Sequence, residues 1–137
     1  MVTKSLRILV VDACPMQRKF IEKLFNRLGY FGIFTTDCVA EAWTLNQYNA
    51  QPFDLLIMNV KLLGHPRTFS LTNPGAASVK QMLVYGLHGG PRDTVIAQSE
   101  SSAMEWVLGL PEFWRVAEFM QTFEQRQSLS MRYDEVG

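Results

Sequence analysis

Cysteine is scarce in this chain of 137 residues: Cys14 and Cys38 are the only two. Two thiols make no disulfide scaffold, so stability must come from a packed core, and a reducing compartment is the expectation. Long apolar runs are missing too. No stretch approaches the roughly 18 apolar residues that cross a bilayer, and the segment from Met1 to Asp12 lacks the apolar region and cleavage site of a secretory signal. A cytoplasmic protein with no membrane partner is expected. Neither sign of charge is in excess, with thirteen Lys plus Arg against thirteen Asp plus Glu. That balance, with no strongly basic stretch or helix-turn-helix segment, gives no footprint for nucleic acid. Histidine is limited to His65 and His88, in or beside loops and without a partner at helical spacing. No metal site is expected from them. The turn Asp12-Ala13-Cys14-Pro15-Met16 has none of the hydroxyl and glycine residues that cradle a flavin phosphate, so no cofactor is expected and an enzyme is the weakest functional class.

What the chain does have is apolar content of 47%, enough at this length for one domain with a real core. Residues 1–127 are assigned to that domain and 128–137 to a polar, mobile C-terminal tail. The neutral total conceals an asymmetry. Through residue 80 there are nine basic and five acidic side chains, and beyond it four basic and eight acidic. Opposed patches of this kind suit steered protein contacts, and an uneven surface without function explains them equally well.

Leu6 to Val11 is a short β-branched run ending at Asp12 and punctuated by Pro15, as expected of a buried strand. From Met16 to Leu28, the residues Phe20, Ile21, Leu24, Phe25 and Leu28 recur at helical spacing. Arg18, Lys19, Lys23 and Arg27 lie on the polar side, and Gly29 supplies the stop. Phe31 to Thr36 suits a second strand. Val39 to Tyr48 suits a helix capped by Asp37 or Cys38, with Glu41 in its first turn. Phe53 to Val60 is the third strand. This β-α-β-α-β alternation predicts an α/β fold, a doubly wound, flavodoxin-like parallel sheet of five strands with helices on both faces. Ligands of such sheets sit beyond the carboxyl ends of the strands, so Asp12, Ala13, Cys14 and Asn59 should share one crevice.

The second half is less regular. Leu62 to Pro74 has the Gly and Pro content of a long loop, followed by a predicted helix from about Ala76 to Leu87. Thr94 to Gln98 makes a fourth strand ending at Ser99. Beyond it two registers compete. One makes Ser101 to Leu108 a short helix and Phe113 to Val116 the fifth strand. The other makes Trp106-Val107-Leu108 the fifth strand and Pro111 the start of the last helix, with the helix between strands four and five short or missing. The second is preferred, because Pro suits a first helical position and Phe113, Val116, Ala117, Met120 and Phe123 then form one apolar stripe.

Four segments carry a family resemblance. Ile8-Leu9-Val10-Val11-Asp12, the Arg18-bearing helix ending Leu28-Gly29-Tyr30, Val39-Ala40-Glu41-Ala42 and Phe53-Asp54-Leu55-Leu56-Ile57-Met58 resemble the receiver domain of two-component response regulators. The match is good over residues 6–61 and loose from there to about 125. The resemblance implies an acidic pair after strand one that helps bind Mg²⁺ and a phosphate-accepting Asp at the end of strand three. It further implies a Thr or Ser ending strand four and a Lys-Pro ending strand five. Only Asp12 and Ser99 fit that pattern. The second acid is Ala13, the acceptor is Asn59, and the Lys is missing under either register. A neutral amide is a poor nucleophile, and one carboxylate gives an oxygen-rich Mg²⁺ cage too few ligands.

The expectation is therefore a pseudo-receiver, not an enzyme, that works by phosphorylation-independent protein binding in two-component or phosphorelay signalling. The resemblance implies docking through the first helix, with Arg18, Lys19, Lys23 and Arg27 as its basic surface. A histidine kinase, a phosphotransfer protein or another signalling protein would be the partner. It also implies an interface, suited to a homodimer, around strand five and the last helix, where Trp106, Phe113 and Trp114 cluster. Against the docking surface stands an ordinary solvated helix face, and against the aromatics plain core packing. The competing reading is a small-ligand or redox sensor using the vacated crevice, with Asp12, Asn59 and Ser99 as polar contacts and Cys14 at the rim. Without an activating group near in sequence, inert thiols are favoured over a redox pair. An open crevice would favour the sensor and a filled one the adaptor.

Overall fold

The four residues of β1 (Ile8–Val11) are all buried, and they alternate between two separate cores: Ile8 and Val10 enter one, Leu9 and Val11 the other. Only a strand covered on both faces has that need, and it explains the unbroken apolar run. The computed structural model describes residues 5–48, 53–63, 79–86 and 103–136. In it β1 pairs in parallel with β2 (Ile33–Thr36) on one side and β3 (Leu55–Asn59) on the other. Next come β4 (Gln81–Gly86) and β5 (Ala103–Leu108), again parallel. The order β2-β1-β3-β4-β5 is that of flavodoxin-like sheets.

Two helices supply the first core. From α1 (Pro15–Arg27) come Ile21, Leu24 and Phe25, and from α3 (Phe113–Val136) come Val116, Phe119, Met120 and Phe123. Between them and the sheet lie Leu55, Ile57, Leu83 and Tyr85. The second core holds Leu56, Met58, Met82 and Val84, with Ala42 contributed by α2 (Val39–Tyr48). Pro15 opens α1 at a position where its missing N–H costs nothing. Gly29, at φ +97°, closes it, with the Gly29 N–H on the Asn26 carbonyl and the Tyr30 N–H on the Phe25 carbonyl. At α2 the first turn closes on the Cys38 carbonyl, so Cys38 rather than Asp37 holds the cap position.

The second half departs from expectation at three places. The segment predicted as a helix over Ala76 to Leu87 contains β4 instead. Met82, Leu83, Val84 and Tyr85 are all buried, on alternating sides of the sheet, which a single helical face cannot achieve. Strand four therefore ends at Gly86 and not at Ser99. Thr94 to Ser99 lies outside the described residues, as does the connection between β4 and β5. For strand five the preferred register stands, since β5 contains Trp106, Val107 and Leu108. The last helix begins slightly later than expected, with Phe113 as its first residue and the Glu112 carbonyl receiving the Val116 N–H. It also runs on through Gln127 to Val136, past the boundary given to the tail.

Gly86 tests the strand directly. Its φ is +144°, and a Cβ there would lie 2.4 Å from Val60 Cγ1 in the 3-10 turn Val60–Leu63 that follows β3. Gly86→Ala should lower the unfolding free energy by about 1–3 kcal/mol in urea titration. In a helix the same substitution would stabilise by up to about 1 kcal/mol, so a gain would refute the strand.

Candidate functional site

The carboxyl ends of β1 and β3 bring Asp12 and Asn59 together, as the topology requires of neighbouring strands. Both are buried. Asn59 Nδ2 donates to Asp12 Oδ2 at 3.1 Å and lies 3.3 Å from Gln17 Oε1, which projects from α1. The amide oxygen of Asn59 accepts the Lys61 N–H at 2.9 Å and so shapes the turn after β3. Asp12 Oδ1 accepts the Cys14 N–H at 2.8 Å, fixing the chain where it enters α1.

A third side chain completes the cluster. Tyr85 pairs with Asn59 in the β3–β4 register, and its phenol donates to Asp12 Oδ2 at 2.5 Å. Burial, and after it the adjacent Asp12 carboxylate, holds the Tyr85 phenol far above its ordinary range, so it remains a donor. Arg18 reaches back from α1 to place Nη1 2.6 Å from the Asp12 carbonyl. Asp12 thus engages both carboxylate oxygens with protein donors and has a guanidinium on its main chain. Among the described residues no group of three His, Cys, Asp or Glu side chains is arranged to hold a metal ion.

The remaining residues singled out from sequence fall in several places. Ala13 is exposed. Ser99 is outside the described residues, and the end of β4 that it was expected to occupy carries Tyr85 and Gly86. After β5 come Gly109 and Leu110, not the Lys-Pro that the resemblance implies there. Of the four basic residues on α1, Lys19 and Lys23 are exposed. Arg18 is half-buried in the Asp12 contact, and Arg27 stacks 4.1 Å above the Phe113 ring. Phe20 is exposed but Leu24 is buried, so only the first remains for docking. Phe113 packs against the first core, Trp114 is exposed, and Trp106 lies in β5 opposite Val84. Cys14 and Cys38 are unpaired thiols at the ends of β1 and β2.

Sequence reasoning missed Tyr85 and Gln17. The first was hidden by the misplaced fourth strand, and the signal that could have found it is the continuous run Met82-Leu83-Val84-Tyr85 ending at a glycine. Gln17 lies one turn into α1 on the side facing Asn59, a position visible only once the helix rotation is known. Compared with known proteins, the chain matches no family model and no curated sequence.

The Tyr85 phenol gives stability a dependence on alkaline pH. The folded state holds this proton more tightly than the unfolded chain, whose tyrosines ionise near about 10. Its contribution is complete below that pH and is lost as pH rises towards the folded value, with a slope approaching about 1.4 kcal/mol per pH unit. Tyr30, raised by burial and by Glu124, acts in the same direction. Tyr85→Phe should cost about 1–3 kcal/mol at neutral pH and reduce the alkaline slope by roughly half, the Tyr30 share remaining. Urea titrations from neutral to alkaline pH check both, and an unchanged slope would count against the Tyr85–Asp12 bond.

Proposed function

We propose that this chain is a pseudo-receiver: a doubly wound, flavodoxin-like α/β module that binds signalling proteins without itself accepting a phosphoryl group. The observation that carries the reading is the closed Asp12–Asn59–Tyr85 cluster at the carboxyl ends of β1, β3 and β4. In a phosphoryl-accepting receiver this place would hold a nucleophilic carboxylate and a cation. Here an amide and a phenol turn their donors on the one carboxylate left, and the same filling weighs against a small-ligand sensor. The proposed partner is a histidine kinase, a phosphotransfer protein or another signalling protein in the cytoplasm. It would dock on the exposed part of α1, where Lys19 and Lys23 flank Phe20. If purified kinase and phosphotransfer bundles bind no better than unrelated helical proteins, and loss of the chain alters no two-component pathway, this reading loses its support.

The loss of chemistry has its own test. Asn59→Asp would place a second carboxylate against Asp12 Oδ2, and like charges that close raise the pKa of one of the pair. This variant should be less stable than the parent at neutral pH and regain part of the difference as pH falls and the pair shares a proton. Incubated with acetyl phosphate and Mg²⁺, it should show no phosphoryl adduct by intact mass spectrometry. A clear adduct would mean that a single substitution had been the only barrier.

A further inference from the structure

The sheet ends at β2, and that edge carries backbone groups with no partner. The Ile8 N–H bonds the Gly32 carbonyl at 2.8 Å and the Asp12 N–H bonds the Thr36 carbonyl at 3.1 Å, so the even-numbered residues of β2 face β1. Ile33 and Thr35 therefore turn their N–H and C=O groups outward. Among the described residues nothing bonds these outward groups. The side chains leave the edge open as well: Phe34 is 42% exposed and Phe31 72%, and Thr35 is exposed. Edge strands are ordinarily kept from pairing by charges, proline or a bulge. From Tyr30 to Thr36 there is no charge and no proline, and the register with β1 runs without a bulge. The opposite edge is guarded, since β5 contains Glu105, 3.5 Å from Arg115.

An open edge accepts an extended chain, and the extended chain that satisfies this one is its own copy. The two outward residues flank Phe34 symmetrically. A two-fold axis at Phe34 sets Ile33 opposite Thr35 of the second copy, and in both such pairs each residue donates its N–H and accepts on its C=O. Phe34 then meets the second Phe34 in the close, non-hydrogen-bonded position, where cross-strand aromatic pairs stabilise a sheet. Antiparallel pairing also brings Asp37, exposed just past the carboxyl end of β2, towards the amino end of the other β2, where Arg7 lies on the neighbouring β1. The charges at each end of the junction are thus of opposite sign. We infer that this chain forms a two-fold homodimer by antiparallel β2–β2 pairing centred on Phe34, which joins two five-stranded sheets into one. The inference does not rest on the receiver reading, and it uses neither α1 nor the strand-five surface.

Sedimentation velocity over a protein concentration series tests the dimer. The parent chain should dimerise. Thr35→Pro removes an outward N–H without touching the ladder to β1, and Thr35→Lys restores a guard charge. Each should weaken the dimer at least about tenfold, with circular dichroism checking that the fold is kept. Trp114→Ala, at the other side of the sheet, should leave it unchanged. The register is tested by oxidation in a Cys14→Ser/Cys38→Ser background. Phe34→Cys should give a disulfide-linked dimer, because facing residues of a non-hydrogen-bonded pair have Cα atoms about 4.5 Å apart, within disulfide reach. Phe31→Cys, exposed but displaced from the axis, should not. A parent that is monomeric at every concentration would overturn the inference. So would folded Thr35 variants that dimerise as the parent does, or position 34 linking no more readily than position 31.

Discussion

The Asp12 carboxylate, buried at the carboxyl end of β1, is the constraint around which the central strands are arranged. A buried anion without donors would be far more costly than the fold could tolerate. Its donors come from three places in the sequence, the Cys14 amide, the Asn59 side chain and the Tyr85 phenol, while Arg18 donates to the main-chain carbonyl of the same residue. Each hydrogen bond to a charged group contributes about 1.5–3 kcal/mol, and each also fixes geometry. Cys14 sets the entry to α1, Asn59 and Tyr85 hold β3 and β4 to β1, and Arg18 ties α1 to the strand end. Burial, and after it the same carboxylate, keeps the Tyr85 phenol protonated, so donor and acceptor sustain each other.

Much of this arrangement was legible in the sequence, and the part that was not has a physical cause. β1, α1 and β3 were placed to within two residues at each end, because their apolar runs are bounded by strong punctuation: Asp12 with Pro15, then Gly29, then Asn59. β4 was lost because Val79, Met82, Leu83 and Tyr85 satisfy both an i, i+3, i+4 pattern and a strand buried on both faces. Short apolar runs of this kind do not carry enough periodicity to choose. A strand covered on both sides has no polar alternation to betray it. Once β4 was read as a helix, the next β-branched run, Thr94 to Gln98, had to serve as strand four, and the hydroxyl assigned to the site became that of Ser99 instead of Tyr85. A single misjudged period thus displaced one of the three side chains of the site. Phe119 was overlooked for a milder reason: it adds a second file to the apolar stripe of α3, so the buried face is wider than the stripe of Val116, Met120 and Phe123 implied.

The pairing of Asp12 with Asn59 follows from topology alone, since parallel strands that are neighbours in the sheet must end side by side. Whether the crevice would be open or filled could not be inferred in the same way. That depended on the size and polarity of what β4 delivers to the site, and on the rotation of α1 that brings Gln17 over Asn59. Topology specifies which backbone ends converge, while side-chain volume decides whether a cavity survives there.

Ala13, Asn59 and Tyr85 make most sense as a single electrostatic solution. Carboxylates crowded at one strand end repel one another unless a cation or a proton compensates them. Ala13 adds no second charge beside Asp12. Asn59, unlike a carboxylate, donates a hydrogen bond to Asp12. With Tyr85 the remaining lone pairs of Oδ2 meet a proton held in place by burial. The cluster is therefore a packed polar core whose single net charge is balanced by donors, and an acid introduced at position 59 would disturb that balance.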